Sequence, residues 1–487
     1  MNGAIIIYIL GHVLKIEGLL MLPSFLVGLI YRESQGWAYL IMGCVCVALG
    51  MLLTFKRPRN SFFYLKEGCV TTSLAWIVLS LFGGIPFILT GEIPSFTDAM
   101  FEIVSGFTTT GSSILTDVEA MSHASLFWRS FSHWIGGMGV LVFLLAVVPL
   151  SGGSNFQLMR AESPGPSVGK LVPKVGQTAR LLYVIYFGMT ALEIVLLIIG
   201  GMSVYDSIVH SFGTAGTGGF GIKGDSIASY SNYCKWIITV FMILFGVNFN
   251  AYYYLFFGQI KKAFGMEEVR WYFIIILAAI GIIFVNSAGM FDTLSAALTH
   301  VSFQVGSIIT TTGYAPTDFN MWPSLSKAVL VILMFIGACA GSTGGGIKIS
   351  RIMIILKTSA REIYSYIHPK SIRSVKFEQK PVDKAVIRSI CVYFVTFMLL
   401  FATSLLLVSI EGKDLVTTFT SVAATINNIG PGLEVVGPTG SFATFTDFSK
   451  WVFIFDMLAG RLELFPMLIL FHPTVWKDMF TRKNIKK

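Results

Sequence analysis

Charge is scarce in this sequence. Only 13% of the 487 residues are charged and 54% are apolar, whereas an ordinary soluble domain carries about 25% charged residues. A chain with so few solvating groups belongs in a bilayer. Lys and Arg fall in short clusters between apolar runs, so the net charge of +9 reads as membrane orientation, not as a patch for nucleic acid. Redox and metal chemistry are missing as well. Cys44, Cys46, Cys69, Cys234, Cys339 and Cys391 lie in or near apolar segments with no Cys-x-x-Cys spacing, and the seven histidines follow no ligand pattern, so neither a disulfide framework nor a zinc site is indicated. The start, Met1-Asn2-Gly3-Ala4-Ile5, has no basic n-region, and the first apolar run is expected to stay in place as a helix.

Two glycine-rich strings imitate nucleotide motifs and fail in context. Gly216-Thr217-Gly218-Gly219-Phe220-Gly221 fits G-x-G-x-x-G but follows no strand and opens no surface helix. Gly341 to Lys348 has Ile347 where a phosphate loop needs Lys. No nucleotide is expected on this chain. No set of acid, base and nucleophile supports an enzyme either.

What the sequence does have is long apolar runs in a repeated order. Two leading spans, 5–30 and 37–55, are each long enough for about 20 residues of helix across the hydrocarbon core, and Lys56, Arg57, Arg59 and Lys66 follow them. Four units then share one plan: a span, a segment too short to cross, a Thr- or Gly-rich stretch, and a second span. The spans and short segments lie at 68–89, 95–107 and 126–150; 181–201, 203–214 and 236–257; 271–286, 291–309 and 328–356; and 385–410, 415–425 and 451–471. The chain divides as 1–66, 67–180, 181–268, 269–380 and 381–487. Roughly three quarters of the Lys and Arg residues, including Arg160, Lys170, Lys174, Lys261, Lys262 and the tail from Arg482, then fall on the side bearing both termini, as the positive-inside rule demands of ten crossings with cytoplasmic ends. The expected fold is an all-α polytopic membrane protein, with two leading helices and four helix/pore-helix/filter/helix repeats around one pore.

The four stretches are Thr108-Thr109-Thr110-Gly111-Ser112, Ala215-Gly216-Thr217-Gly218-Gly219, Thr310-Thr311-Thr312-Gly313-Tyr314 and Asn427-Asn428-Ile429-Gly430-Pro431. Irregular backbone at membrane depth is tolerated only where protein buries it or it lines a water-filled path. Turned inward, its carbonyls can replace the water around a dehydrated cation. Gly111, Gly218, Gly313 and Gly430 are aligned as the glycines that let those carbonyls face an axis, and this favours K⁺ over Na⁺. Asp98, Asp206, Asp292 and Asp414 stand at the starts of the short segments, where they read as helix caps. Asp117, Glu119, Asp225, Asp318, Glu434 and Asp447 follow the filters and make that face acidic.

The run 337–346 lies inside the third unit's last span, where successive glycines costing about 1 kcal/mol each should break the helix into a gating loop. Arg461 is an intramembrane cation, expensive unless it meets a partner or a cavity. It either pairs with Asp456 or Glu463 or faces the pore as an electrostatic barrier.

These filter stretches, the Gly341-Ser342-Thr343-Gly344-Gly345-Gly346 break, the Asn427-Asn428-Ile429-Gly430-Pro431-Gly432 copy and Arg461 resemble the Trk/Ktr/HKT potassium transporter superfamily. The two leading spans and the length are most similar to its bacterial TrkH/TrkG branch, and the resemblance covers essentially the whole chain. It implies a channel-like pore in the bacterial inner membrane, with K⁺ contacted by Thr109, Thr110, Gly111, Gly216, Thr217, Gly218, Thr311, Thr312, Gly313, Asn428, Ile429 and Gly430. A gate is implied at Gly337, Gly341, Ser342, Thr343, Gly344, Gly345 and Gly346, with Arg461 facing the pore. It further implies a homodimer with one pore per subunit and a cytosolic TrkA-like nucleotide-binding ring. The basic segment 357–384 is either a docking surface for that ring or a solvated loop. Ile429 stands where the other copies have Thr. A Na⁺-permeable relative and a symporter coupled to H⁺ or Na⁺ are the alternatives, the latter needing a titratable group on the path.

Overall fold

The computed structural model describes residues 2–58, 64–139, 175–371 and 373–480. Its first two spans form an antiparallel pair, Gly3–Leu20 continued by Leu22–Tyr31 against Gly36–Thr54. Glycines make the pairing close. A Cβ added at Gly43 would sit 2.8 Å from the Gly18 carbonyl oxygen, and Gly28 faces Gly36 in the same way. Small residues let backbones approach where lipid gives helices no hydrophobic reason to associate.

The four repeats follow. Their outer helices are Leu65–Leu89, Val175–Ile199, Glu267–Ser287 and Lys384–Ser409, and their pore helices are Phe96–Phe107, Val204–Gly216, Leu294–Ile309 and Leu415–Ile426. Each pore helix packs between the outer and inner helices of its own repeat, and the inner helix of each repeat also packs on the next repeat's pore helix, from the fourth back to the first. That order closes the repeats into a ring around one axis.

The third inner helix is broken at the glycine run as expected, and the second and fourth depart from the continuous spans the sequence suggests. Among the described residues six helices are long and apolar enough to cross a membrane, seven if one bent pair is counted as a span. The six are the leading pair and the four outer helices. In the first repeat the inner helix His123–Met138 ends at Gly139 with φ 79°; the rest of that expected span, and Arg160, Lys170, Lys174, Arg59 and the tail from Arg482, lie outside the described residues. In the second, Asn232–Phe245 and Phe249–Phe256 meet at 94°, where Asn248 caps the new helix through the Asn250 N–H at 2.9 Å. The third is broken between Ser324–Ile336 and Ile349–Ile367, and the fourth between Asp447–Arg461 and Phe465–Ile469, where Glu463 and Leu464 both take positive φ.

Among the described residues the helical pattern has one exception. Lys376–Phe377 and Lys380–Pro381 pair as a small antiparallel hairpin around Glu378 and Gln379, both left-handed, as a two-residue hairpin turn requires. It lies in the basic segment read as loop, whose first part continues the helix Ile349–Ile367.

Candidate functional site: four axial segments and the loop beneath them

The caps of the pore helices are mostly not the aspartates. Ser95, Ser203 and Thr293 accept the backbone N–H groups of Asp98, Asp206 and Ala296 at 3.3, 3.0 and 3.1 Å, and only in the fourth repeat does an aspartate, Asp414, do so, from Thr417 at 2.8 Å. Asp98 meets Lys450 at 2.5 Å, and Asp206 accepts from Tyr230 at 2.9 Å. The helices therefore start on the lip and end at the axis, each bringing about half a negative charge there.

All four end alike. The residues after the helix, Thr109, Thr217, Thr311 and Asn428, sit at φ 55°, 57°, 60° and 55°. The next N–H groups, of Thr110, Gly218, Thr312 and Ile429, reach back to carbonyls five residues earlier at 2.8, 2.8, 2.8 and 2.9 Å. This is a Schellman ending, which normally takes Gly at the left-handed position. A β-branched residue there is an outlier, held only because its surroundings over-determine it.

Two residues further on, Gly111, Gly219, Gly313 and Gly430 take φ 81°, 77°, 88° and 101°. The backbone thus corrects the alignment in the second repeat: Gly219, not Gly218, is the counterpart of the other three glycines. Gly216 is the last residue of its pore helix and lies one position before the segment proper. Position by position, Thr110, Gly218, Thr312 and Ile429 correspond, so the second copy as well as the fourth lacks Thr there.

The segments close on one another. A Cβ at Gly111 would collide with the Gly218 carbonyl, one at Gly219 with that of Thr312, and one at Gly313 with that of Ile429. The ring is completed by Gly430, whose Cβ would lie 2.8 Å from the Thr110 carbonyl oxygen. All four glycines line one open mouth of about 150 Å³.

Buried polar contacts hold the ring. Glu102 of the first pore helix and Arg129 of the first inner helix form an ion pair at 2.6 Å with both side chains almost fully buried. Glu102 also accepts from Ser113 and from the Ile114 N–H at 2.9 and 3.0 Å, and Arg129 donates to the Gly221 carbonyl at 3.3 Å. Neither residue stood out in the sequence, although a charge inside an apolar run is a signal in itself. Segments one and four are joined by Ser112 donating to the Gly430 carbonyl and Asn428 donating to Thr110 Oγ1, both at 2.9 Å. Tyr314 joins segments two and three, donating to the carbonyls of His210 and Phe220 at 3.2 and 3.4 Å. Among the exposed acids that follow the axial segments, Glu119 accepts from the Gly224 N–H at 3.0 Å, so this one ties loops together.

The glycine run forms a loop directly under the ring, entered at Gly337 (φ 72°) and left at Gly346 (φ 74°). It fastens segments three and four from below: the Gly345 N–H donates to Thr311 Oγ1 at 2.6 Å and the Gly346 N–H to the Asn427 carbonyl at 3.1 Å. Gly341 accepts from Phe249 at 3.0 Å, and the Thr343 hydroxyl donates to the Phe245 carbonyl at 3.2 Å, across the bend in the second inner helix. Glu268 holds the loop's far side, accepting from the N–H groups of Ala340 and Ser350 at 2.7 and 3.2 Å and from Asn248 at 3.2 Å. Its own helix start is tied to the hairpin through Glu378, which accepts the Glu267 N–H at 2.8 Å.

Arg461 closes the arrangement. It donates to the Thr343 carbonyl at 2.9 Å and to the Gly136 and Gly137 carbonyls at 2.5 and 3.0 Å, bridging the loop to the end of the first inner helix. The two carboxylates considered for it are engaged elsewhere, Glu463 by Arg351 and Asp456 by Ser404. Arg461, Ser342, Gly344, Gly345, Gly346 and Lys348 line a cavity of about 100 Å³. The site is thus a ring of bare backbone with a mouth above it and a loop, braced by one arginine, below.

A profile of the family described as "TrkH: Cation transport protein" matches residues 36–483. The Trk system potassium uptake protein TrkH of Salmonella typhimurium is 35% identical, over 96% of this chain and 97% of that protein. TrkG of Escherichia coli is 33% identical, over 97% and 99%. The crystal structure of the potassium transporter TrkH from Vibrio parahaemolyticus superposes with a TM-score of 0.88 at 32% identity, covering 98% of this chain and 100% of that one. With the repeats, the axial ring and the loop all in place, the chain belongs to the TrkH family of cation transport proteins, a transporter family and not an enzyme family.

Proposed function

We propose that this chain is the membrane subunit of a potassium uptake system of the bacterial inner membrane, passing K⁺ through a gated, channel-like pore. The observation that carries this reading is the backbone ring, with its mouth lined by Gly111, Gly219, Gly313 and Gly430. Main-chain oxygens at Thr109, Thr110 and Gly111, at Thr217, Gly218 and Gly219, at Thr311, Thr312 and Gly313, and at Asn428, Ile429 and Gly430 replace the hydration shell of the ion. Four pore-helix C-termini favour a cation at the same place. Beneath the ring the loop 337–346 is the gate and Arg461 its latch: while its guanidinium bridges Thr343 to Gly136 and Gly137, a fixed positive charge stands on the exit path. Both termini face the cytoplasm, the protein works as a homodimer with one pore per subunit, and a cytosolic nucleotide-binding ring acts on the gate from that side.

The test is Rb⁺ uptake into proteoliposomes with Na⁺ as competitor, using the protein alone and with its cytosolic partner. The expected result is uptake that Na⁺ in excess barely inhibits and that the partner modulates. Equal competition by Na⁺ would replace this reading with a non-selective cation pore, and uptake that follows a proton gradient independently of voltage would replace it with a symporter.

A further inference from the structure

The second axial segment lacks what braces the first and third. There, paired threonines hydrogen-bond side chain to side chain at 2.8 Å, Thr108 with Thr110 and Thr310 with Thr312. The corresponding residues of the second segment are Gly216 and Gly218, which have no side chains to pair. The space is occupied by His133, fully buried, from the inner helix of the first repeat. A Cβ at Gly218 would run into its imidazole, and one at Gly216 into its main-chain carbonyl.

Both ring nitrogens of His133 are used. Nδ1 lies 2.7 Å from the Gly106 carbonyl at the end of the first pore helix, so it carries the proton. Nε2 is then the acceptor and takes the Phe220 N–H, just beyond the second segment, at 3.3 Å. The Phe220 ring is held between the imidazole, with centroids 4.2 Å apart, and the Arg129 guanidinium at 3.9 Å. Arg129 and His133 are four apart on one helix face, and Arg129 is the partner of Glu102. One face of the first inner helix therefore ties segments one and two together.

We propose that His133 is the positioning residue of the second segment and helps set the ion preference of the pore, supplying from a neighbouring helix the bracing that threonine pairs give segments one and three. The inference rests on reading the ring as the K⁺ filter. A carbonyl at Gly218 that can shift no longer penalises a smaller ion, so the loss falls on preference before it falls on rate.

The experiment compares Rb⁺ uptake and its inhibition by Na⁺ in proteoliposomes of wild type, His133→Ala, His133→Gln, Gly218→Ala and the double variant His133→Ala/Gly218→Ala. His133→Ala should lose about tenfold in Rb⁺ over Na⁺ preference, the worth of one or two buried hydrogen bonds, while still transporting Rb⁺. His133→Gln, whose carboxamide can donate to Gly106 and accept from Phe220, should keep the preference. Gly218→Ala should lose uptake, and removing the ring in the double variant should restore part of it. Unchanged preference in His133→Ala overturns the inference, as does His133→Gln behaving like His133→Ala. Should His133→Ala fail to fold, His133→Met, which fills the same space without either hydrogen bond, carries the test beside His133→Gln: the Met variant should lose preference and the Gln variant keep it, and equal preference in the two overturns the inference. Wild-type protein with no preference for Rb⁺ would instead remove the pore reading beneath it.

Discussion

At the left-handed turn after each pore helix the chain tolerates Thr109, Thr217 and Thr311, although left-handed backbone costs an L-residue about 1–2 kcal/mol. Such a cost persists only where neighbouring contacts fix the backbone, and Thr311 shows one: its hydroxyl accepts from the glycine loop. Two residues later no side chain is tolerated at all. Gly219→Ala should abolish Rb⁺ uptake, because the new Cβ meets the Thr312 carbonyl, whereas Gly281→Ala, in open space on an outer helix, should leave uptake and size-exclusion profile unchanged. Removing the His133 ring should relieve Gly218→Ala but not Gly219→Ala; equal relief of both would mean that the second segment is aligned one residue away from its true position. Three glycines within Gly216-Thr217-Gly218-Gly219 are why the sequence alone does not reveal that alignment: any of them satisfies a pattern that asks for glycine. Glu102 and Arg129 were hidden for another reason, since only folding brings together residues that far apart. Glu102→Gln leaves Arg129 buried without its counter-charge and should cost about 3–5 kcal/mol, read as a lower Tm in detergent; an unchanged Tm would show that the pair is not a support of the ring.

Among the elements, the outer and pore helices follow closely from apolar run length and from the short segments that cannot cross. Two of their caps are serines where the sequence points to the aspartates: Ser95 and Ser203 precede Asp98 and Asp206 by three residues, a pattern in which the serine caps and the acid supports it. The breaks in the inner helices differ in how plainly the sequence marks them. The third break is written in glycine, but the second turns at Asn248 and the fourth at Glu463 and Leu464, residues that do not announce a break. These interruptions matter because they bring the bend of the second inner helix, the loop of the third and Arg461 of the fourth to one level under the ring. Two charged side chains are among the groups that hold the loop there, Arg461 on Thr343 and Glu268 on Ala340 and Ser350. Arg461→Ala and Glu268→Ala should each raise Rb⁺ flux several-fold without altering the preference over Na⁺, since neither residue touches the axial carbonyls. Flux equal to wild type in both variants would reject the loop as the gate.

For the molecule as a whole, the closure that packs the four repeats together also sets the axial segments against one another, and the proposed selectivity rests on it. Every inner helix packs on the next repeat's pore helix, and every junction between axial segments has its own tie: Arg129 and His133, Tyr314, the glycine loop, then Asn428 with Ser112. The third junction is the one made by the glycine loop, so under the proposed gating its displacement would free Thr311 and Asn427 as the exit opens. The most direct test of the account is anomalous diffraction from crystals soaked in Rb⁺ and then exchanged into Na⁺. The expected result is a peak on the axis, level with the carbonyls of Thr110, Gly218, Thr312 and Ile429, that disappears on exchange. Rb⁺ density confined to side-chain carboxylates, with nothing inside that ring, would contradict it.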